Sequence, residues 1–469
     1  LIELPDTQYK NEAWKIENTG IDIVPEHERT ATPLELFWIW SAANIGILGI
    51  VYGAIIVSFR LSFFQSLLAT IVGIASFALV GYISLAGQKG RTTTLTLSRT
   101  IFGKTGNIAP TFFSWITLMG WEAINMITGT LTLKALFHVI GLSDSIALTI
   151  VCMVLFGGLA ITISLLGQAT VVVIQSWITR IFGTMTLIAA LYIIGQTDWN
   201  AVLSMPSGDW LTGFLPAVSI IAAGTGIGWG IAGADYSRYQ SDRSSKSGIF
   251  NAVTFGAMLP LFILLFTGIL LSARLPELAS SENPIALIGT ALPSWMSIPY
   301  LLTATAGIIT IAVLSLYSAS LNLLTIGIKI RQVYAVVLDA ILVMGVAIYI
   351  LFIAGEFMDS FIAFLLFCGV FLASWEAVFM LDYAVLRRRK GYEFEQLFGK
   401  SNVGIRWVPL LCWLLGALAG LLVSDNQFIK GPWATGIFQG SSLSILLSFV
   451  LSFVLYSVYL MFSRPVEKH

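Results

Sequence analysis

Thr117, Trp121, Asn125 and Thr128 follow one another at spacings of four, four and three within one apolar run. A helix would carry all four on a single face. Trp supplies a flat apolar surface for stacking, and Asn supplies both a donor and an acceptor. A face with both suits a planar heteroaromatic ligand. Asn125 by itself is equally compatible with hydrogen bonding between packed helices. Glu122 sits next to Trp121 in the middle of the same run. A carboxyl in hydrocarbon is costly and is by default a functional group. If it gains and loses a proton it could carry that proton between faces; the alternative is a neutral or paired structural acid. Asp339 and Glu376 are weaker candidates on the same grounds, and Arg180 could pair one of these acids.

Two further stretches carry polar or conformational chemistry. Ser315, Ser318 and Asn322 are spaced by three and four with Tyr317 beside them, a polar stripe on a long apolar helix. The stripe could line a cavity or bond back to helix carbonyls; Asn322, costlier to bury than Ser, favours a lining role. Residues 224–233 hold five glycines: Gly224, Gly226, Gly228, Gly230 and Gly233. Each costs about 1 kcal/mol in a helix relative to Ala, so residues 224–230 are expected to interrupt a span. The backbone of Gly224, Thr225, Gly226 and Gly228, with Trp229 just beyond, would then face a ligand, as half-helix ends and unwound carbonyls do in transporters. Asn44, Gly46 and Gly49 make a weaker interruption five spans earlier, which close helix packing would also explain.

The elements that must position these groups follow from composition. Of 469 residues 57% are hydrophobic and 11% charged, against about 25% charged in soluble domains. This is an all-α polytopic membrane protein. Twelve spans are expected, at about 34–58, 63–87, 107–137, 144–166, 169–195, 211–233, 250–272, 296–326, 332–354, 359–385, 404–424 and 440–463. They leave one membrane domain, 34–463, between a tail at 1–33 and a short one at 464–469. Residues 1–30 lack an apolar targeting core, so no cleavable signal peptide is expected. With the amino terminus inside, 20 of the 25 Lys and Arg fall on the cytoplasmic side, which sets both termini in the cytoplasm and the protein in the cell membrane. Interrupted first and sixth spans predict two inverted five-span halves, about 34–195 and 211–385, with extra helices at about 404–463.

Other function classes find no support. No strand precedes the glycine cluster and no phosphate-loop lysine follows it. His27, His138 and His469 make no hydrolase constellation with Ser and Asp, so an enzyme is not expected. Cys152, Cys368 and Cys412 lie in apolar runs and read as small hydrophobes; no metal site or cofactor is expected. No basic face suits nucleic acid. The Arg387-Arg388-Arg389-Lys390 run is an inside-facing stop signal that could touch anionic lipid.

Several segments together resemble a known family. They are Glu17 to Ala31, Phe37-Trp38-Ile39-Trp40-Ser41-Ala42-Ala43-Asn44, and Ser98-Arg99-Thr100-Ile101-Phe102-Gly103. Gly120-Trp121-Glu122-Ala123-Ile124-Asn125 and Trp229 through Tyr236 complete the ordered set, and the likeness runs to Leu381-Asp382-Tyr383. The chain is similar to purine–cytosine permeases of the nucleobase–cation symporter-1 family, nearest the fungal-type branch. The resemblance implies the leucine-transporter fold, with helices 1 and 6 broken and substrate held between spans one, three, six and eight. It implies that Asn44 contacts substrate, Trp121 stacks, Asn125 hydrogen-bonds, and Asn322 and Ser318 stand on the span-eight side. Three departures qualify the substrate and ion. Leu316 and Tyr317 stand where sodium-coupled relatives place small hydroxyl ligands, which favours protons. Ser318-Ala319 stand where nucleobase-specific members carry an Asn pair. Gly226 stands where some relatives stack an aromatic from span six, with Trp229 three positions on. The expected function is a proton-coupled importer of a small planar nitrogen heterocycle, a nucleobase such as cytosine or a purine in the first place. The alternatives are a symporter of a heteroaromatic vitamin or a hydantoin- or allantoin-type compound, or a non-transporting receptor or channel.

Overall fold

The computed structural model of the protein describes residues 19–281, 283–354, 357–399 and 404–463; the outer parts of both expected tails, 1–18 and 464–469 with His469, lie outside the described residues. Regular structure among the described residues is helical, apart from isolated bridges joining Ala31 to Gln240 and Asp425 to Lys430. The first span comprises α1 (Pro33–Ala42) and α2 (Leu48–Ser58). Pro33 opens α1, where its missing N–H would have had no intrahelical partner anyway. Between the two helices the chain turns through residues 43–47, and Asn44 closes the turn by donating from its backbone N–H to Ser41 O (3.1 Å) and from Nδ2 to Trp40 O (2.9 Å). The second span is α3 (Phe63–Ile74), started by a Ser62–Gln65 capping box, and α4 (Phe77–Gly90).

A helix that the sequence reading did not place follows: α5 (Thr94–Phe102), buried along its whole length. Leu95, Leu97, Ile101 and Phe102 fill a core with α4 and the later spans. Then come α6 (Ile108–Val139), α7 (Ile146–Leu165), α8 (Gly167–Gly195) and a short α9 (Trp199–Leu203) capped by Asp198. The glycine-rich span is divided into α10 (Leu215–Gly224), α11 (Gly226–Gly230) and α12 (Gly233–Ser237). Its sharpest departure from helical angles is at Thr225 (φ −126°, ψ −103°). The expectation of a backbone unwound through 224–230 is therefore corrected: Gly226–Gly230 is wound. In a dry interior, winding satisfies backbone groups that an open stretch would leave bare. Trp229 N–H closes on Thr225 O (3.1 Å), and Gly226 N–H finds Ser76 Oγ (3.1 Å) at the α3–α4 turn.

The remainder is α13 (Lys246–Ser272), α14 (Pro284–Thr290), α15 (Ser294–Ile326), α16 (Gln332–Tyr349), α17 (Phe357–Asp382), α18 (Arg388–Lys390), α19 (Phe394–Phe398), α20 (Trp407–Val423) and α21 (Leu443–Ser463). Among the described residues nine helices are long and apolar enough to cross a membrane. Helix α15 packs along α6, α13 along α2, and α17 against α20 and α21. Glycine makes the α2–α13 approach close. A Cβ on Gly53 would meet Leu265 O, and one on Gly268 would meet Ile50 O.

The described part of the amino-terminal segment straps one end of the bundle. Val24 N–H donates to Arg91 O (2.9 Å), and the Arg238 guanidinium donates to Gly20 O (2.6 Å). Arg29, its side chain fully buried, bonds Asp242 (2.7 Å), Glu26 (3.0 Å) and Gln88 O (3.0 Å). Among the described residues no salt bridge joins Arg180 to an acid. Its guanidinium lies over the rings of Trp38 (5.0 Å) and Trp177 (5.8 Å), because a helix-borne cation beside exposed aromatics gains a cation–π contact without desolvating a carboxylate.

Candidate substrate site

A cavity of about 60 Å³ opens where the first span turns. Its walls come from five elements. The first span supplies Ala43, Asn44, Gly46, Leu48, Gly49 and Tyr52, and α6 supplies Trp121 and Asn125. Gly224 and Trp229 come from the glycine-rich span, Leu261 from α13, and Ile311 and Ser315 from α15. The volume is on the scale of a few waters, so a guest of ring size enters only as the walls adjust.

Three polar wall groups are held by their own helices, and Tyr52 by a neighbouring one. Asn44, at the end of α1, keeps one amide hydrogen on Trp40 O, which fixes the plane of its side chain at the cavity. Asn125 donates to Glu122 Oε1 (3.4 Å) one turn earlier on α6. Ser315 Oγ bonds back to Ile311 O (3.2 Å). Tyr52 OH points at Gly224 O (3.5 Å), a carbonyl that α10 leaves at its end. The aromatic walls are braced edge-on, with Trp121 against Phe361 (5.9 Å, 76°) and Phe364 (6.1 Å, 82°), and Trp229 against Trp40 (5.7 Å, 89°). Gly120 lets Phe364 close on α6, since a Cβ there would overlap the Phe364 ring.

Asn44, Trp121, Asn125, Gly224 and Trp229 are thus brought together around one space, and Thr225, Gly226, Gly228, Ser318 and Asn322 are not among its lining residues. Thr225 Oγ1 bonds Ile221 O (2.6 Å), and Gly226 abuts Ser76. Gly228 sits behind the wall, where a Cβ would lie 3.6 Å from Trp121 Nε1. Ser318 bonds Tyr236 OH (3.0 Å), which also donates to Leu314 O (2.9 Å). Asn322 Nδ2 donates to Ser114 Oγ (2.7 Å) on α6. Of the α15 stripe only Ser315 reaches the cavity; the two residues below it serve contacts between helices. On α6, Thr117 bonds Phe113 O (2.7 Å) and Thr128 Oγ1 has no hydrogen-bond partner among the described residues. Glu122 is buried behind Asn125, outside the lining, while Asp339 accepts from Trp115 Nε1 (2.9 Å) and Glu376 lies on α17. The sequence reading missed Tyr52, Leu261 and Ile311 as wall residues. Nothing in their spacing marks them, because they are aligned only by how α2, α13 and α15 pack.

The family model for permeases for cytosine/purines, uracil, thiamine and allantoin matches residues 23–452. The chain belongs to this family. This permease is 27% identical over 475 residues to YxlA of Bacillus subtilis, named for the purine-cytosine permeases, covering 95% of the chain and 96% of that protein. It is 26% identical over 265 residues to the purine-cytosine permease FCY2 of Saccharomyces cerevisiae, a match spanning 54% of the chain and 47% of FCY2. The vitamin B6 transporter TPN1 of the same yeast is 24% identical over 282 residues, 56% of the chain and 46% of TPN1. The fold of this chain is that of Mhp1, a nucleobase-cation-symport-1 family transporter whose closed conformation has been solved with bromovinylhydantoin bound. The two align with a TM-score of 0.75 at 16% identity over 95% of each chain. A Na+-coupled sialic acid symporter shares it at a TM-score of 0.65 and 12% identity, over 98% of this chain and 95% of that one. The protein is a membrane transporter of the nucleobase-cation symporter family, and these relatives are transporters.

Proposed function

We propose that the permease is a proton-coupled importer of a small planar nitrogen heterocycle, a nucleobase such as cytosine or a purine first, working by alternating access. One observation carries the reading. In a member of this family, a single cavity is walled by two tryptophans, Trp121 and Trp229, and two asparagines, Asn44 and Asn125. A flat ring would lie against Trp121, with its ring nitrogens and exocyclic groups on Asn125 and Asn44 and on the Gly224 carbonyl end. Glu122, joined to the cavity through Asn125, is the coupling acid in this scheme. Twelve spans, broken first and sixth helices, two inverted halves at about 34–195 and 211–385, extra helices at about 404–463 and cytoplasmic termini in the cell membrane belong to the same proposal. Sodium is disfavoured by Leu316 and Tyr317. A vitamin of the pyridine or pyrimidine type is the second reading, favoured by the likeness to a vitamin B6 transporter.

The test is a thermal-shift screen of the purified chain against cytosine, adenine, hypoxanthine, uracil, allantoin, thiamine and pyridoxine. Counterflow in proteoliposomes then follows for the compound that stabilises most. Exchange of label against its gradient supports a carrier. Binding without exchange makes the protein a receptor, and no stabilisation by any ring compound overturns the substrate class.

A further inference from the structure

Glu376, in the last two turns of α17, is fully buried, and neither carboxyl oxygen has a hydrogen-bond partner among the described residues. Its neighbour across the helix interface is the backbone of α11. A Cβ on Gly230 would overlap Glu376 Oε1, and Ile83 of α4 lies 3.5 Å from the same position. The acid therefore lies directly on the last residue of a five-residue helix whose preceding residue, Trp229, is a wall of the cavity.

Several titratable groups on the elements packed around α17 have partners elsewhere. Arg387 and Tyr456 hold Asp382 (3.3 and 2.9 Å), and Tyr82 of α4 packs on Tyr383 (5.3 Å). Arg99 of α5 donates to the Leu397 and Thr325 carbonyls (3.3 and 2.8 Å), and Glu122 of α6 is held by Asn125. Asp235 of α12 accepts from Thr94 (2.8 Å), and Cys412 of α20 is a buried thiol. An ionised carboxylate with neither a donor nor a cation beside it is not tolerated in such a place. The packed arrangement holds the neutral acid.

We propose that Glu376 is a proton-binding site worked by α11: it keeps its proton while α11 lies against α17 and releases it when that segment moves away. The idea rests on the transporter reading above and gives that reading a second acid. Trp229 meets the guest and Gly230 meets the carboxyl, so one short helix senses both occupants. Each ligand that favours the packed position of α11 then strengthens the other, since coupling between two sites is reciprocal.

The experiment has two arms. Infrared difference spectra of the purified chain in lipid nanodiscs, taken between neutral and alkaline pH in sodium-free buffer, need no substrate. A carbonyl-stretch component of a protonated acid is expected in the wild type and in Glu122→Gln; that component is lost when Glu376→Gln is added and displaced in Gly230→Ala. The second arm measures cytosine accumulation in proteoliposomes under an inward gradient of one pH unit, which supports about tenfold accumulation per carried proton. Glu376→Gln is expected to lose that factor. Loss of no component when Glu376→Gln is added to Glu122→Gln, a Glu376 carboxylate already ionised at neutral pH, or a component unmoved by Gly230→Ala overturns the proposal; so does full accumulation by Glu376→Gln. The expected band in a chain that moves no cytosine supports the proton site and overturns the choice of cytosine.

Discussion

Replacing Trp121 with Ala tests the substrate site most directly. Its ring packs in T-shaped contacts with Phe361 and Phe364, and the residue lines the cavity. Stacking a base on an aromatic side chain contributes about 1–3 kcal/mol by alanine substitution. The variant should therefore bind its ring compound about 5- to 150-fold more weakly. Trp121→Phe keeps a flat face and should recover most of that loss, whereas Trp121→Leu, similar in apolar bulk but without a face, should not. Affinity is read by calorimetry on the purified chain with the compound selected in the thermal screen, beside its melting temperature without ligand. Loss of the Phe361 and Phe364 contacts would lower the melting temperature of all three variants, which separates packing from recognition. Binding by Trp121→Ala within about twofold of the wild type, under half a kcal/mol, would show that the guest does not lie on this ring.

Three other outcomes follow from named contacts. Glu122→Gln preserves the acceptor for Asn125 but cannot release a proton, so it should flatten the pH dependence of uptake; a variant that keeps the wild-type response to a proton gradient removes Glu122 as carrier. At the strap, the hydrogen bond from Arg29 holds the Asp242 carboxyl below its ordinary value, with Arg91 adding to it. A depressed carboxylate contributes stability above its unfolded pKa of about 3.9 and loses it as pH falls through the lower folded value. The strap should thus be insensitive to pH between about 5 and 8, and Asp242→Asn should lower the melting temperature equally at both ends of that window; a difference between them would refute the assignment. Gly268→Ala would drive a methyl into the Ile50 carbonyl of α2, backbone against backbone. Such overpacking costs about 1–3 kcal/mol, to be read as a lower melting temperature, and an unchanged value would mean that α2 and α13 separate freely.

Much of the scaffold was legible because lipid imposes a strong rule on sequence. Long apolar runs such as Ile146–Leu165 and Lys246–Ser272 can only be helices, since every backbone group in hydrocarbon needs a partner within its own segment. The one-face spacing of Trp121 and Asn125 survives as two neighbours on a cavity wall for the same reason. Buried α5 escaped notice because its nine residues are too few to span and its Thr, Ser and Arg are satisfied by distant partners, Asp235 and Thr325 among them. The glycine cluster announced an irregularity, yet composition did not say where winding would resume. Ser76, on another span, decides that by taking the Gly226 N–H.

The sequence by itself determined that this chain lives in a bilayer, that its family is one of ring-compound permeases, and which face of α6 is suited to a flat ligand. Those properties are local: each depends on hydropathy, on helical period or on motif order along the chain. Only the tertiary structure decided that Ser315 reaches the cavity while Ser318 and Asn322 turn to Tyr236 and Ser114, that Arg180 meets tryptophans, and that Glu376 lies on Gly230. Partners for a side chain in a membrane bundle come from the rotation and depth of neighbouring helices, which the period of any one helix does not contain.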